Sequence, residues 1–159
     1  DVELWSASHM TEADLNFIHS FQPTVTLDLG DDQTLLCYHG SPNANTDAIG
    51  PKTPDEEVKT KLAGYQATIM AGGHIHEQML RRFQDSLLIN PGSVGLPYQN
   101  VAGQTRNPPW AEYALVSSQT GNLQVEFRRV PVDLAELATA VQASGMPHTD
   151  WWLKDWGYG

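Results

Sequence analysis

Basic side chains are scarce in this 159-residue sequence, nine lysines and arginines against nineteen aspartates and glutamates. The formal net charge of -10 repels phosphate along any extended surface, which argues against sequence-independent DNA or RNA binding. Cysteine is scarcer still. The single one, Cys37, lies in the apolar run Leu35-Leu36-Cys37-Tyr38, where a thiol packs as a small hydrophobe, and no disulfide framework is possible. A reducing cytoplasm is the expected compartment. No apolar run approaches the roughly 20 residues of a membrane span, and Asp1-Val2-Glu3-Leu4-Trp5 has no signal-peptide character. Repeats, low-complexity tracts and dividing linkers are also lacking. So is an initial methionine, and the sequence begins close to a helix pattern with no strand before it, so a fragment or processed product is expected.

What is present suits a single globular domain over residues 1–159, with 40% of residues from the hydrophobic set. Thr11 can cap a helix from Glu12 to Ser20, with Asp14 three places after the cap and Leu15 and Ile18 on one side. Val25 to Leu29 and Thr34 to Tyr38 flank the turn cluster Gly30-Asp31-Asp32, which predicts a hairpin. Gly40 to Thr53 is too polar and too rich in breakers for regular structure and reads as a long loop. Thr53-Pro54-Asp55-Glu56 predicts a short helix capped at Thr53, with Val58 and Leu62 on one face and Gly64 beyond its end. Ala67 to Ala71 is a continuous apolar run, as a strand covered on both faces requires. Hairpins are predicted for Met79 to Phe83 with Ser86 to Ile89, and for Glu112 to Ser117 with Leu123 to Arg129, with a Pro- and Asn-rich connection before Trp110. Asp133 and Glu136 start a last helix whose stripe is Leu134, Leu137, Ala138 and Val141, and the tail from Trp151 to Trp156 is expected to pack by its indoles.

Three histidines carry the chemistry. Neutral imidazole is a ligand for zinc, manganese or iron, and loops beyond strand ends let ligands from distant sequence converge. His39 follows one predicted strand and precedes Gly40; His74 and His76 follow another, after Gly72-Gly73, with one residue between them. A glycine beside a ligand allows close approach of backbone to an ion. His9, His19 and His148 lack such surroundings and read as surface or turn residues.

Tyr38-His39-Gly40-Ser41-Pro42, Gly73-His74-Ile75-His76 and Ile89-Asn90-Pro91-Gly92-Ser93-Val94-Gly95 together resemble, in order and spacing, three motifs of the calcineurin-like metallophosphoesterases, particularly their small bacterial phosphodiesterase branch. Trp5 through Phe21 resembles the helix before the first motif, and the resemblance covers most of residues 5 to 118. It implies an α/β (α+β) fold, a four-layer α/β/β/α sandwich with a two-metal site at one edge. It further implies that His39 and His74 bind the second metal, that His76 binds the first, and that Asn90, Gly92 and Ser93 shape the substrate rim. The cofactors would be two divalent ions, manganese, iron or zinc, and the reaction hydrolysis of a small-molecule or phosphoprotein phosphoester.

The family's earlier motifs, an Asp-x-His, a Gly-Asp and a Gly-Asn-His-Asp, are absent from this chain, so the resemblance is to a C-terminal portion with the N-terminal strands missing. The catalytic acid would lie in that missing part. Two divalent ions about 3.5–4 Å apart repel strongly, and three neutral imidazoles do not offset their charge. Asp47 and Glu77 are the local acids to test, while Asp31 and Asp32 read as turn residues. Two other readings follow from the same residues. The chain could be a non-catalytic partner or regulatory module, or the histidines with Asp47 or Glu77 could hold a structural zinc. A sheet lacking its first strands would expose an unpaired edge.

Overall fold

Two aspartates with left-handed backbone, Asp31 at φ 52° and Asp32 at φ 59°, reverse the chain between β1 (Thr24–Gly30) and β2 (Gln33–Tyr38). The pair is antiparallel, with Val25 opposite Cys37 and Leu27 opposite Leu35, and a bulge falls between Asp28 and Gly30. Short polar side chains tolerate this conformation, which matches the twist of a tight hairpin. The computed structural model describes residues 1–157. They form two compact units, one from Pro23–Tyr98 and Trp110–Val130, the other from Asp1–Gln22, Gln99–Pro109 and the chain from Pro131 onward.

The first of these units holds α3 (Asp55–Lys61), β3 (Ile69–Ala71), β4 (Gln78–Phe83), β5 (Ser86–Pro91), β8 (Trp110–Gln119) and β9 (Asn122–Pro131) besides the opening hairpin. Its main sheet runs β1-β2-β3-β5-β4, with β2, β3 and β5 mutually parallel. Alternation sorts each strand onto two faces. Leu36, Met70 and Leu88 point to the face covered by Val58 of α3 and by Leu62 just beyond its end. Leu35, Ile69 and Ile89 point the other way, against Val116, Leu123, Val125 and Phe127 of the β8–β9 hairpin. Central strands buried on both faces explain why Ile69, Met70 and Ala71 of β3 are apolar without alternation.

The long segment after His39 is ordered by its own polar groups. The Ser41 hydroxyl donates to Asp47 at 2.6 Å and accepts from the Asn43 and Ala44 amides, while Asn43 Nδ2 donates to the Lys61 and Ala63 carbonyls at the end of α3. Arg81 of β4 donates to the Gly50 and Thr53 carbonyls and pairs with Asp55. Thr53 does not cap α3, as its spacing suggests. Its hydroxyl accepts from the Gly50 amide at 2.9 Å, and Pro54 takes the cap position without a side-chain bond.

In the other unit, α2 (Glu12–His19) carries the expected capping box of Thr11 and Asp14, and α4 (Leu134–Ala143) is capped by Asp133, whose carboxylate accepts from the Ala135 and Glu136 amides. Ala138, Leu153 and Trp156 are buried, and Trp152 stacks near Trp156 at 5.5 Å, whereas Trp151 is exposed. Four elements go beyond the sequence reading. α1 (Val2–Ser8) precedes the expected first helix, α5 (Thr149–Lys154) organises the tryptophan tail, and β6 (Gln99–Val101) pairs with β7 (Gln104–Arg106) inside the connection read as irregular. Among the described residues no helix is long and apolar enough to cross a membrane.

Candidate metal centre

Because β2, β3 and β5 are parallel neighbours, the loops leaving their carboxyl ends share one edge of the sheet. Such edges are where α/β folds gather functional groups. Tyr38 leads into His39, Ala71 into Gly72-Gly73-His74, and Pro91 into Gly92-Ser93. The loops are tied together by backbone. Gly73 N–H donates to the His39 carbonyl at 2.6 Å, and Gly72 N–H to the Ile89 carbonyl at 2.9 Å.

His39 and His74 are brought together. His39 Nε2 stands 3.2 Å from His74 Nδ1, and their rings meet edge to face at 5.2 Å. Two nitrogens bound to one tetrahedral ion at ~2.0–2.1 Å stand about 3.3 Å apart, so this nitrogen pair fits one such ion. Both side chains are exposed, leaving a path for entry. His74 adopts φ 67°, and Ile75 N–H donates back to the Gly73 carbonyl at 2.8 Å, closing a tight three-residue turn around the histidine. His76 also has positive φ, 54°, but its half-buried ring lies beside Tyr98, with centroids 6.2 Å apart. Among the described residues no three histidine, cysteine, aspartate or glutamate side chains converge as an ion-holding group. Two of the three predicted ligands therefore meet, and the third sits apart.

Among the described residues neither local acid joins the histidines in an ion-holding group. Asp47 is half-buried and accepts the Ser41 hydroxyl, and Glu77 is exposed. The structural zinc reading needed one of these with all three histidines. Gly40 has a different role from the one its position beside His39 suggests: a Cβ there would meet the Asp47, Asn45 and Ala44 carbonyls at 2.5, 2.7 and 2.8 Å, so it makes room for the loop. Gly72 makes room for the Tyr38 ring, 2.7 Å from where its Cβ would stand. Burial, aided by the neighbouring Cys37 thiol, pushes the Tyr38 hydroxyl up to about 12, so it stays neutral at ordinary pH.

The rim residues prove to be built into the scaffold. Asn90 is buried, donating from Nδ2 to the Gly73 carbonyl at 2.6 Å and accepting the Gly92 amide at Oδ1 at 3.0 Å. Gly92 has φ 85°, and a Cβ on it would strike Glu112. The Ser93 carbonyl accepts the Glu112 amide, and its hydroxyl accepts the Leu96 amide. Glu112 itself escapes sequence reasoning. Its buried carboxylate accepts from Trp110 Nε1 at 2.9 Å and Arg129 Nε at 3.0 Å, with the guanidinium lying over the indole. A signal existed, since Glu112 and Arg129 are opposite charges equidistant from the Thr120-Gly121 turn. Gln78, whose Nε2 donates to the Pro91, Tyr113 and Arg128 carbonyls, has no comparable signal.

Residues 9–121 match the family model described as the calcineurin-like phosphoesterase superfamily domain. The fold is similar to that of a hypothetical protein from Pyrococcus horikoshii OT3, at 15% identity and a TM-score of 0.68 over 93% of this chain and 62% of that one. It is similar also to a metallophosphoesterase from Sphaerobacter thermophilus, at 19% identity and a TM-score of 0.67 over 92% of this chain and 62% of that one. This chain thus spans about three fifths of the length of these solved relatives. No curated protein matches it.

Proposed function

Since the chain belongs to the calcineurin-like phosphoesterase superfamily, we propose that it is the histidine-bearing part of a metal-dependent phosphoester hydrolase. The observation that carries this reading is the approach of His39 Nε2 to His74 Nδ1 at 3.2 Å, on two loops 35 residues apart in sequence. These nitrogens would hold one divalent ion, manganese, iron or zinc, and His76 would hold the second. Bound there, a pair of ions would polarise the phosphoryl oxygens and lower the pKa of a water for in-line attack. Asn90, Gly92 and Ser93 fix the height of the rim on which the phosphoester rests. Tyr98, beside His76, offers an aromatic face to the ester's organic group, in a small molecule or a phosphoprotein side chain.

Two ions need anionic ligands, and Asp47 and Glu77 do not meet that need. We infer that the carboxylates and the group that protonates the leaving oxygen come from sequence outside residues 1–159, consistent with the greater length of the solved relatives. The test is His74→Ala in the intact protein, assayed on a generic phosphodiester with manganese. Loss of a ligand is expected to lower the rate more than about 100-fold, the upper end of what loss of an outer partner costs. An equal rate in the variant would overturn the assignment. No turnover by the intact parent protein would favour the non-catalytic module instead.

A further inference from the structure

We propose that Asn90 is a positioning residue of the histidine centre, acting through the Gly73 peptide to hold His74 against His39. The inference rests on the reading of His74 as a metal ligand. Gly73 is the shared joint of the two loops: its N–H donates to the His39 carbonyl at 2.6 Å, and its carbonyl takes the Ile75 amide at 2.8 Å and Asn90 Nδ2 at 2.6 Å. Both lone pairs of that carbonyl are thereby used, which fixes the plane of the peptide entering His74. The need is real, because His74 is held at φ 67°, a conformation that L residues keep only where the surroundings over-determine it. Turning this peptide would carry the imidazole away from His39 Nε2 and strand a polar amide that is 1% exposed.

The chemistry selects asparagine. Gly92 N–H can only donate and the Gly73 carbonyl can only accept, so the side chain must present one acceptor and one donor in a plane, and only one orientation of the amide satisfies both. An ionised aspartate keeps the acceptor for Gly92 and loses the donor for Gly73, placing a second oxygen against a carbonyl. Asn90→Asp therefore separates the arm that reaches His74 from the arm that shapes the Pro-Gly-Ser loop. Asn90 acts through the Gly73 peptide and governs where a ligand stands.

The experiment titrates the intact protein, Asn90→Asp and His74→Ala with cobalt(II), followed by visible absorption, and measures amide hydrogen exchange without metal. Loss of an outer partner predicts cobalt binding about 10–100-fold weaker in Asn90→Asp, together with exchange at Ile75 faster by more than about tenfold. The Leu88 and Met70 amides of the central strands keep their rates, which separates positioning from general loosening. Cobalt binding within about twofold of the parent, with unchanged Ile75 exchange, overturns the proposal. If His74→Ala binds cobalt as the parent does, the metal reading fails, and Ile75 exchange alone decides the role of Asn90. Should Asn90→Asp not fold, Asn90→Ser, which admits water into the vacated space, is judged by the same two measurements.

Discussion

Gly92 stands at φ 85° with the buried Glu112 side chain filling the space where a Cβ would lie. Gly30 has similar backbone, φ 79°, and nothing within 4 Å of that point. The two positions separate backbone strain from crowding. Gly30→Ala should cost about 1–2 kcal/mol, the left-handed penalty alone. Gly92→Ala should cost about 2–4 kcal/mol, because overpacking against the Glu112, Trp110 and Arg129 cluster is added. Urea midpoints of the two variants check this, and equal losses would mean that Glu112 moves aside freely. At this scale the placement of His39, His74 and His76 just beyond strand ends was legible, since glycines and polar residues mark where an apolar strand stops. That the Asn90 amide bridges the Gly73 carbonyl and the Gly92 amide was not, because a buried amide and a solvent-facing one are the same letter in sequence.

Among the elements, α2 shows how a local signal survives into structure. Thr11 N–H donates to the Asp14 carboxylate at 2.8 Å and Asp14 N–H to the Thr11 hydroxyl at 3.2 Å, a reciprocal cap readable from spacing. The hydroxyl bond from Thr11, with that backbone bond, lowers the Asp14 pKa below its ordinary value of 3.8. A depressed folded pKa adds stability that is present above 3.8 and lost as pH falls through the folded value. The cap should therefore persist to pH below 3.8 and then open. In an NMR titration the Thr11 amide should shift with a midpoint below that value, and the transition should vanish in Asp14→Asn; a midpoint at or above it would refute the cap. Elements that went unread lack such signals. α1 has no side-chain cap, α5 starts from His148 at φ 60°, and β6 and β7 are three residues each, too short for a period to register.

For the molecule as a whole, the informative contrast is one cross-strand pair. Leu27 and Leu35 are directly opposed on β1 and β2 and share a face, yet Leu27 is 48% exposed and Leu35 8%. The β8–β9 hairpin packs against the core around Leu35 and leaves Leu27 and Val25 open on the edge strand. Leu35→Ala should then cost about 2–5 kcal/mol and Leu27→Ala less than about 1 kcal/mol, by chemical denaturation. Comparable losses would show that the outer face is covered in solution. The exposure of β1 is that of any open sheet's edge, whose outer strand has a neighbour on one side only.

Local pattern by itself determined the hairpins, three of the helices, the two-sided burial of β3 and the family motifs, because alternation, caps and turn residues act over a few positions. Tertiary structure alone decided which histidines meet. The 3.2 Å between His39 and His74 depends on the parallel register of β2 with β3 and on the Gly73 peptide held by Asn90, and His76 is turned toward Tyr98 by the same loop. Spacing placed three imidazoles at strand ends. Only the hydrogen bonds between loops far apart in sequence could choose the pair.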